Sequence, residues 1–121
     1  MPWILDNNLP IYTQVLERIE IRIISGEYKP GDKLPSVREL ASEAGVNPNT
    51  MQKACTELER IGLVITQRTN GRSVTTDEEL IRSCKDRLIR NRMQDFVIHM
   101  QALGCGKETV ITLLQQEWEE N

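Results

Sequence analysis

Asn49, Thr50, Gln52 and Lys53 crowd into one short stretch near the middle of the chain. All are short or flexible hydrogen-bonding side chains. Met51, Ala54, Cys55 and Leu58 interleave them at helical spacing, so the polar set falls on an outer face. Carboxamides suit the paired donor and acceptor of adenine, hydroxyls suit several bases, and a lysine suits a phosphate. Such a set at the start of a helix has the chemistry to read base edges in a DNA major groove. The plainer reading is a solvated polar face on an ordinary helical hairpin.

What must position these residues is the stretch Ser36 to Ile61, SVRELASEAGVNPNTMQKACTELERI. It reads as two short helices meeting at a sharp turn. Ser36 caps the first helix, and Glu39, three residues on, completes a capping box. Gly45 ends it where a left-handed backbone is needed. Asn47 caps the second helix, and Pro48 takes the first helical position, where a missing N–H does no harm. Leu40, Ala41, Ala44, Val46, Met51, Ala54, Cys55 and Leu58 fit two helices packed at a steep angle, with the small Ala41 at the close approach.

After Gly62, two β-prone runs, Leu63 to Thr66 and Ser73 to Thr75, are joined through Asn70-Gly71, a strong hairpin signal. Arg68 and Arg72 flank the expected tip. A hairpin after a helix-turn-helix is a wing, and a basic tip suits the minor groove or its phosphates; the alternative is a solvated tip with incidental arginines.

Upstream, Leu9 to Ser25 reads as a helix, with Ile11, Val15, Ile19 and Ile23 every fourth residue. Its Arg18 and Arg22 share a flank that faces solvent or phosphate, solvent being preferred. Trp3, Ile4 and Leu5 form an edge strand or lie against the body. Gly26 to Pro35 reads as a loop with a type II turn at Pro30-Gly31, anchored by Tyr28 and Leu34. Downstream, Thr76 is expected to cap a long helix running to about Leu103, striped by Ile89, Met93, Phe96, Met100 and Leu103. Gly104-Cys105-Gly106 breaks it. Lys107 to Glu119 forms a last helix with Val110, Leu113, Leu114 and Trp118 on one side. Two such helices enclose too little interior to cover both apolar faces, so a second copy is expected to cover them, making a homodimer.

With 121 residues and 39 % apolar content but only five aromatics, the core must be mainly aliphatic. No secretory signal or membrane span is read, and three widely spaced cysteines point to reduced thiols in a cytoplasmic setting. The net charge of −3 is unevenly spread. From Pro10 to Thr76 nine basic side chains face eight acidic ones; from Asp77 onward six face nine. A general DNA-packing protein, usually basic overall, is therefore disfavoured. An enzyme is disfavoured too: His99 is the sole histidine, with no triad spacing and no Gly-rich phosphate loop. A thiol- or metal-responsive sensor using Cys84, Cys105 and His99 is the alternative function, although no CxxC or HxxxH pair exists. No cofactor or metal is expected. Nothing names a small-molecule effector; one would have to bind between tail and first domain or across a dimer seam, since the tail alone is too small for an ordinary pocket.

The run PIYTQVLERIEIRIISGEYKPGDKLPSVRELASEAGVNPNTMQKACTELERIGLV, with its NGRSV wing, resembles the winged helix-turn-helix domain of the GntR family of bacterial transcription regulators. The LPSxREL start, the GVNPNT turn and the ELERxGL helix end carry the likeness, over roughly the first two thirds of the chain. The two-helix tail with its ALGCGKETV turn resembles the YtrA subfamily, whose C-terminal part is a dimerisation element. The resemblance implies DNA contacts by Arg38, by Asn49, Thr50 and Gln52, and by the wing around Gly71 and Arg72. Many relatives carry arginines where this chain has Pro48 and Gln52, so the operator cannot be copied from a relative. It also implies repression of a membrane-transporter operon, commonly including the regulator's own gene.

The expected fold is thus mainly α with a small β-hairpin: a winged helix-turn-helix over residues 1–76, with its N-terminal arm, then a two-helix dimerisation tail over 77–121. The expected DNA-binding set is Arg38, Asn49, Thr50, Gln52, Lys53, Arg68, Gly71 and Arg72.

Overall fold

Val15, Ile19 and Ile23, spaced four apart, are fully buried on one side of the first helix, α1 (Ile11–Ile24), in a computed structural model that describes residues 2–69 and 71–121. Two further helices follow, α2 (Val37–Ala44) and α3 (Pro48–Ile61), then β1 (Val64–Gln67) and β2 (Gly71–Val74). The chain ends with α4 (Glu78–Ala102) and α5 (Lys107–Glu120). It divides into two compact units, one up to Cys84 and one over Lys85–Asn121.

In the first unit α3 is the central rod, packing on both α1 and α2. Met51, Ala54, Cys55 and Leu58 of α3 are buried with Leu40, Ala41 and Ala44 of α2. This aliphatic burial supplies most of the driving force for folding. Leu63, Val64 and Val74 bring the hairpin onto the same core, and Leu80, Ile81 and Cys84 of α4 close it. The strands pair antiparallel, Val64 with Val74 and Gln67 with Gly71.

Three features differ from what sequence patterns led us to expect. The Gly26–Pro35 segment is more than a loop. Its end adds an edge to the hairpin through a bridge between Lys33 and Ser73, with Val74 N–H donating to Asp32 O at 2.8 Å and Leu34 N–H to Arg72 O at 2.9 Å. The expected turn at Pro30-Gly31 is present, closed by Asp32 N–H to Lys29 O at 2.9 Å. Secondly, the residue that caps α4 is Asp77, not Thr76: its Oδ1 accepts the Leu80 N–H at 3.1 Å, while Asp77's own N–H is taken by Thr75 Oγ1. The helix starts one residue later than the Thr-Asp pair suggested.

Thirdly, Arg22 is not a free, solvated side chain: it is only 21 % exposed. Trp3 is buried, with its indole N–H donating to Glu43 Oε2 at 2.7 Å. Arg22 stacks over that ring at 4.6 Å, pairs with Glu43 at 2.7 Å and Glu27 at 3.1 Å, and donates to the Tyr28 hydroxyl. The N-terminal arm therefore lies against the body, tying α1 to the end of α2. It is not an edge strand.

The second unit has no fully buried residue between Lys85 and Asn121. Met93, Phe96, Val97 and Met100 of α4 face Val110, Ile111 and Leu114 of α5 across an open apolar groove that Cys105 also lines. Leu103 and Trp118 are 77 % and 78 % exposed. No helix among the described residues is long and apolar enough to cross a membrane.

Candidate nucleic-acid interface

The capping box on α2 closes in both directions. Glu39 N–H donates to Ser36 Oγ, and Ser36 N–H donates to Glu39 Oε1, both at 3.1 Å. Bonds from the Ser36 backbone, then its hydroxyl, hold the Glu39 carboxyl below its usual pKa. It stays charged beside the α2 N-terminus, where negative charge is favoured. Gly45 turns the chain at φ 75°, a conformation in which a side chain would be strained; a Cβ there would also meet Pro2 of the arm at 3.0 Å. Asn47 Oδ1 then accepts the Asn49 N–H at 2.7 Å and starts α3.

This turn leaves Asn49, Gln52 and Lys53 exposed on the outer side of α3's first two turns, with Thr50 half-buried beside them. Gln52 Nε2 makes a long bond of 3.3 Å to Thr56 Oγ1, one turn further on. Arg38 is exposed on α2. Among the described residues, no carboxylate lies within ion-pair distance of Arg38, Lys53 or Arg68. Three cations thus stand free to meet an anion.

The wing comes back toward the start of α2. Lys33, Ser36, Glu39, Thr69, Gly71 and Arg72 line one cleft. Gly71 sits at φ 74°, where a β-carbon would be unfavourable, and closes the hairpin. Asn70, expected to share that turn, lies outside the described residues. Arg72 is not a free arginine: it is hydrogen-bonded and ion-paired to Glu59 on α3. Burial alone would raise the Glu59 carboxyl, but the bonds from Arg72 and Thr66 and the guanidinium charge outweigh it and hold the pKa low.

Of the eight residues expected from sequence, four gather on α2 and α3 as exposed groups (Arg38, Asn49, Gln52, Lys53), and Gly71 and Arg72 join the cleft beside Ser36. Thr50 is partly covered, and Arg68 is exposed just past β1. Sequence reasoning did not anticipate Lys33 at this cleft, because nothing marked its segment as strand-forming, nor Glu59 as the partner of Arg72. A cysteine-based reading gains no support. Burial pushes the Cys55 thiol up, Cys84 is buried, and no cluster of metal-binding side chains occurs among the described residues.

Residues 11–74 match the model of the bacterial regulatory proteins of the gntR family. The chain belongs to the GntR family. It is 43 % identical over 106 residues to the HTH-type transcriptional regulator YhcF of Bacillus subtilis, covering 88 % of each chain. To the HTH-type transcriptional repressor YtrA of the same organism it is 36 % identical over 103 residues, covering 84 % of this chain and 79 % of that one. A GntR family regulator from Listeria monocytogenes superposes with a TM-score of 0.87 at 37 % identity, covering 93 % of this chain and 98 % of that chain. The DNA-binding domain of AraR, solved with operator ORX1, gives 0.53 at 33 % identity over 62 % of this chain and 92 % of its own. These relatives place the chain in the YtrA subfamily, as a DNA-binding transcriptional regulator and not an enzyme.

Proposed function

We propose that the protein is a cytoplasmic repressor that binds a two-fold symmetric operator as a homodimer, and that it controls a membrane-transporter operon together with its own gene. The observation that carries this reading is the polar tip of α3, where Asn49, Gln52 and Lys53 are exposed and Lys53 has no carboxylate within ion-pair distance among the described residues. Asn49, Thr50 and Gln52 read base edges; Arg38 and Lys53 hold phosphates and fix the register. Arg68, Gly71 and Arg72 bring the wing to the minor groove or its backbone. The AraR domain solved on operator DNA supports the same use of the shared domain here.

The second unit supplies the symmetry. Its α4 and α5 leave Met93, Val97, Ile111 and Leu114 between 39 % and 52 % exposed along their shared groove. A second copy laid on the same face buries this apolar surface and holds two recognition helices one or more DNA turns apart. Residues 1–76 serve DNA and 77–121 serve dimerisation, with the first turns of α4 fixed on the DNA-binding core by Leu80, Ile81 and Cys84.

The test is selection of preferred duplexes from random DNA, followed by footprinting and sedimentation of the free protein. The expected result is a palindromic site bound by a dimer, mapping upstream of a transporter gene in the source genome. A monomer at micromolar concentration that ignores every duplex at low salt would overturn the reading.

A further inference from the structure

Tyr12 at the start of α1 and the outer side of α3 enclose a groove that extends the base-reading face away from its tip. Gln52 and Lys53 stand at one end, Thr56 one turn on, and Glu57 and Arg60 at the other. We propose that this groove is a second phosphate-binding surface, taking a DNA backbone strand that runs beside the bases read by α3, with Tyr12, Lys53 and Arg60 as its donors. The inference rests on the DNA-binding reading above and extends its contact set to residues outside the expected one.

Three observations support DNA as the occupant. The groove is continuous with the proposed interface, because Gln52 and Lys53 belong to both. Its charge suits an anion: two cations and one carboxylate line it. Lys53 and Arg60 are seven residues apart, about 10 Å along the helix axis, so one cation stands at each end. The carboxylate is already committed. Glu57 is bonded to Arg60, whose Nη2 reaches Glu57 Oε2 at 3.1 Å. The Arg60 side chain is 73 % accessible and that of Glu57 24 %, so the guanidinium reaches solvent from a partly covered carboxylate. Glu57 takes the Arg60 Nε and Nη2, which leaves Nη1 to meet a phosphate while the carboxylate stays paired. Arg suits that double role, since its planar guanidinium carries five N–H donors, enough for a carboxylate and a phosphate at once. The Tyr12 hydroxyl adds a neutral donor that makes no demand on charge.

The experiment measures the full-length protein on a duplex selected from random DNA and on a scrambled duplex of equal length, across a salt series. Arg60→Gln and Tyr12→Phe are each expected to weaken both duplexes alike, by about three- to tenfold. Arg60→Gln is expected to flatten the slope of log K against log salt by about 1. Arg60→Lys should restore most of the slope, which a purely structural role would not do. Ethylation interference with the unaltered protein should reveal a phosphate, outside the bases read, whose ethylation blocks binding; with Arg60→Gln that effect should vanish. Unchanged affinity and slope in both variants, with no such phosphate, overturns this inference alone. Failure of the unaltered protein to bind either duplex overturns the DNA-binding reading with it.

Discussion

Glu59→Gln should weaken the fold and tighten DNA binding. Arg72 is 25 % exposed and Glu59 30 %, so their pair is neither fully solvated nor buried. Exposed pairs contribute roughly 0.2–1 kcal/mol, and hydrogen bonds to charged groups about 1.5–3 kcal/mol. Glutamine keeps an acceptor for the guanidinium but not the charge, so the loss of stability is expected near 1 kcal/mol. Arg72 must leave Glu59 to reach a phosphate, and the unaltered protein forfeits the pair on binding. The variant has less to forfeit, so its affinity should rise by up to about fivefold, the equivalent of about 1 kcal/mol. Thermal melts and fluorescence anisotropy on one duplex give both numbers. The pH dependence carries a sign. The Glu59 carboxyl has a lowered pKa in the fold, so its stabilisation is complete above the unfolded value of about 4.3 and disappears as pH falls through the folded one. The difference in melting temperature between the unaltered protein and the variant should therefore close in acid. If Glu59→Gln instead binds DNA more weakly at neutral pH, Glu59 holds Arg72 in its DNA-contacting position, and the exchange described here is wrong.

Arg38→Ala should weaken binding to all sequences and flatten the salt slope by about 1, whereas Gln52→Ala should relax preference at one base pair by roughly 1–3 kcal/mol; competition with single-substituted duplexes separates the two. Ser36→Ala opens the capping box and should cost about 1 kcal/mol of stability, read as a lower denaturant midpoint with an unchanged slope. Met100→Asp puts a charge in the groove between α4 and α5 and should give a monomer by sedimentation, with weaker binding to a palindromic duplex but little change on a single half-site.

What could be read from the chain beforehand was what is decided locally. The Ser36–Glu39 box, the Asn47-Pro48 start and the Pro30-Gly31 turn each depend on residues a few positions apart, so spacing alone reveals them. What stayed hidden depends on distant partners. Trp3 has no periodic neighbours in its own segment, and its place is set by Glu43, forty residues on, and by Arg22. Arg22 looked free because no carboxylate stands three or four residues from it: those positions are Arg18, Ile19, Ser25 and Gly26. The strand-like end of the 26–35 segment is too short and too Pro- and Gly-rich to register as β. It is held only because β2 has an open edge. At the interface the residue types were legible but their pairing was not: Glu57 and Glu59 both stand near arginines, and only the fold shows that Glu59 takes Arg72 and Glu57 takes Arg60.

That pairing resolves the apparent conflict between a net charge of −3 and a DNA ligand. Summed charge governs long-range attraction, whereas contact depends on which groups are free at the surface that meets the phosphates. Four acids of α2 and α3 are engaged. Glu39 is bonded into the α2 cap, Glu43 to Trp3 and Arg22, Glu57 to Arg60 and Glu59 to Arg72. Each is offset by a cation or by backbone and hydroxyl donors, so it projects less repulsion than its formal charge suggests. Arg38, Lys53 and Arg68 have no carboxylate within ion-pair distance among the described residues, and nine of the acids lie from Asp77 onward. An acidic chain can therefore present a locally basic face. Because its long-range pull is small, its binding should depend on those short contacts, and the slope of log K against log salt should grow with their number, doubled in a dimer.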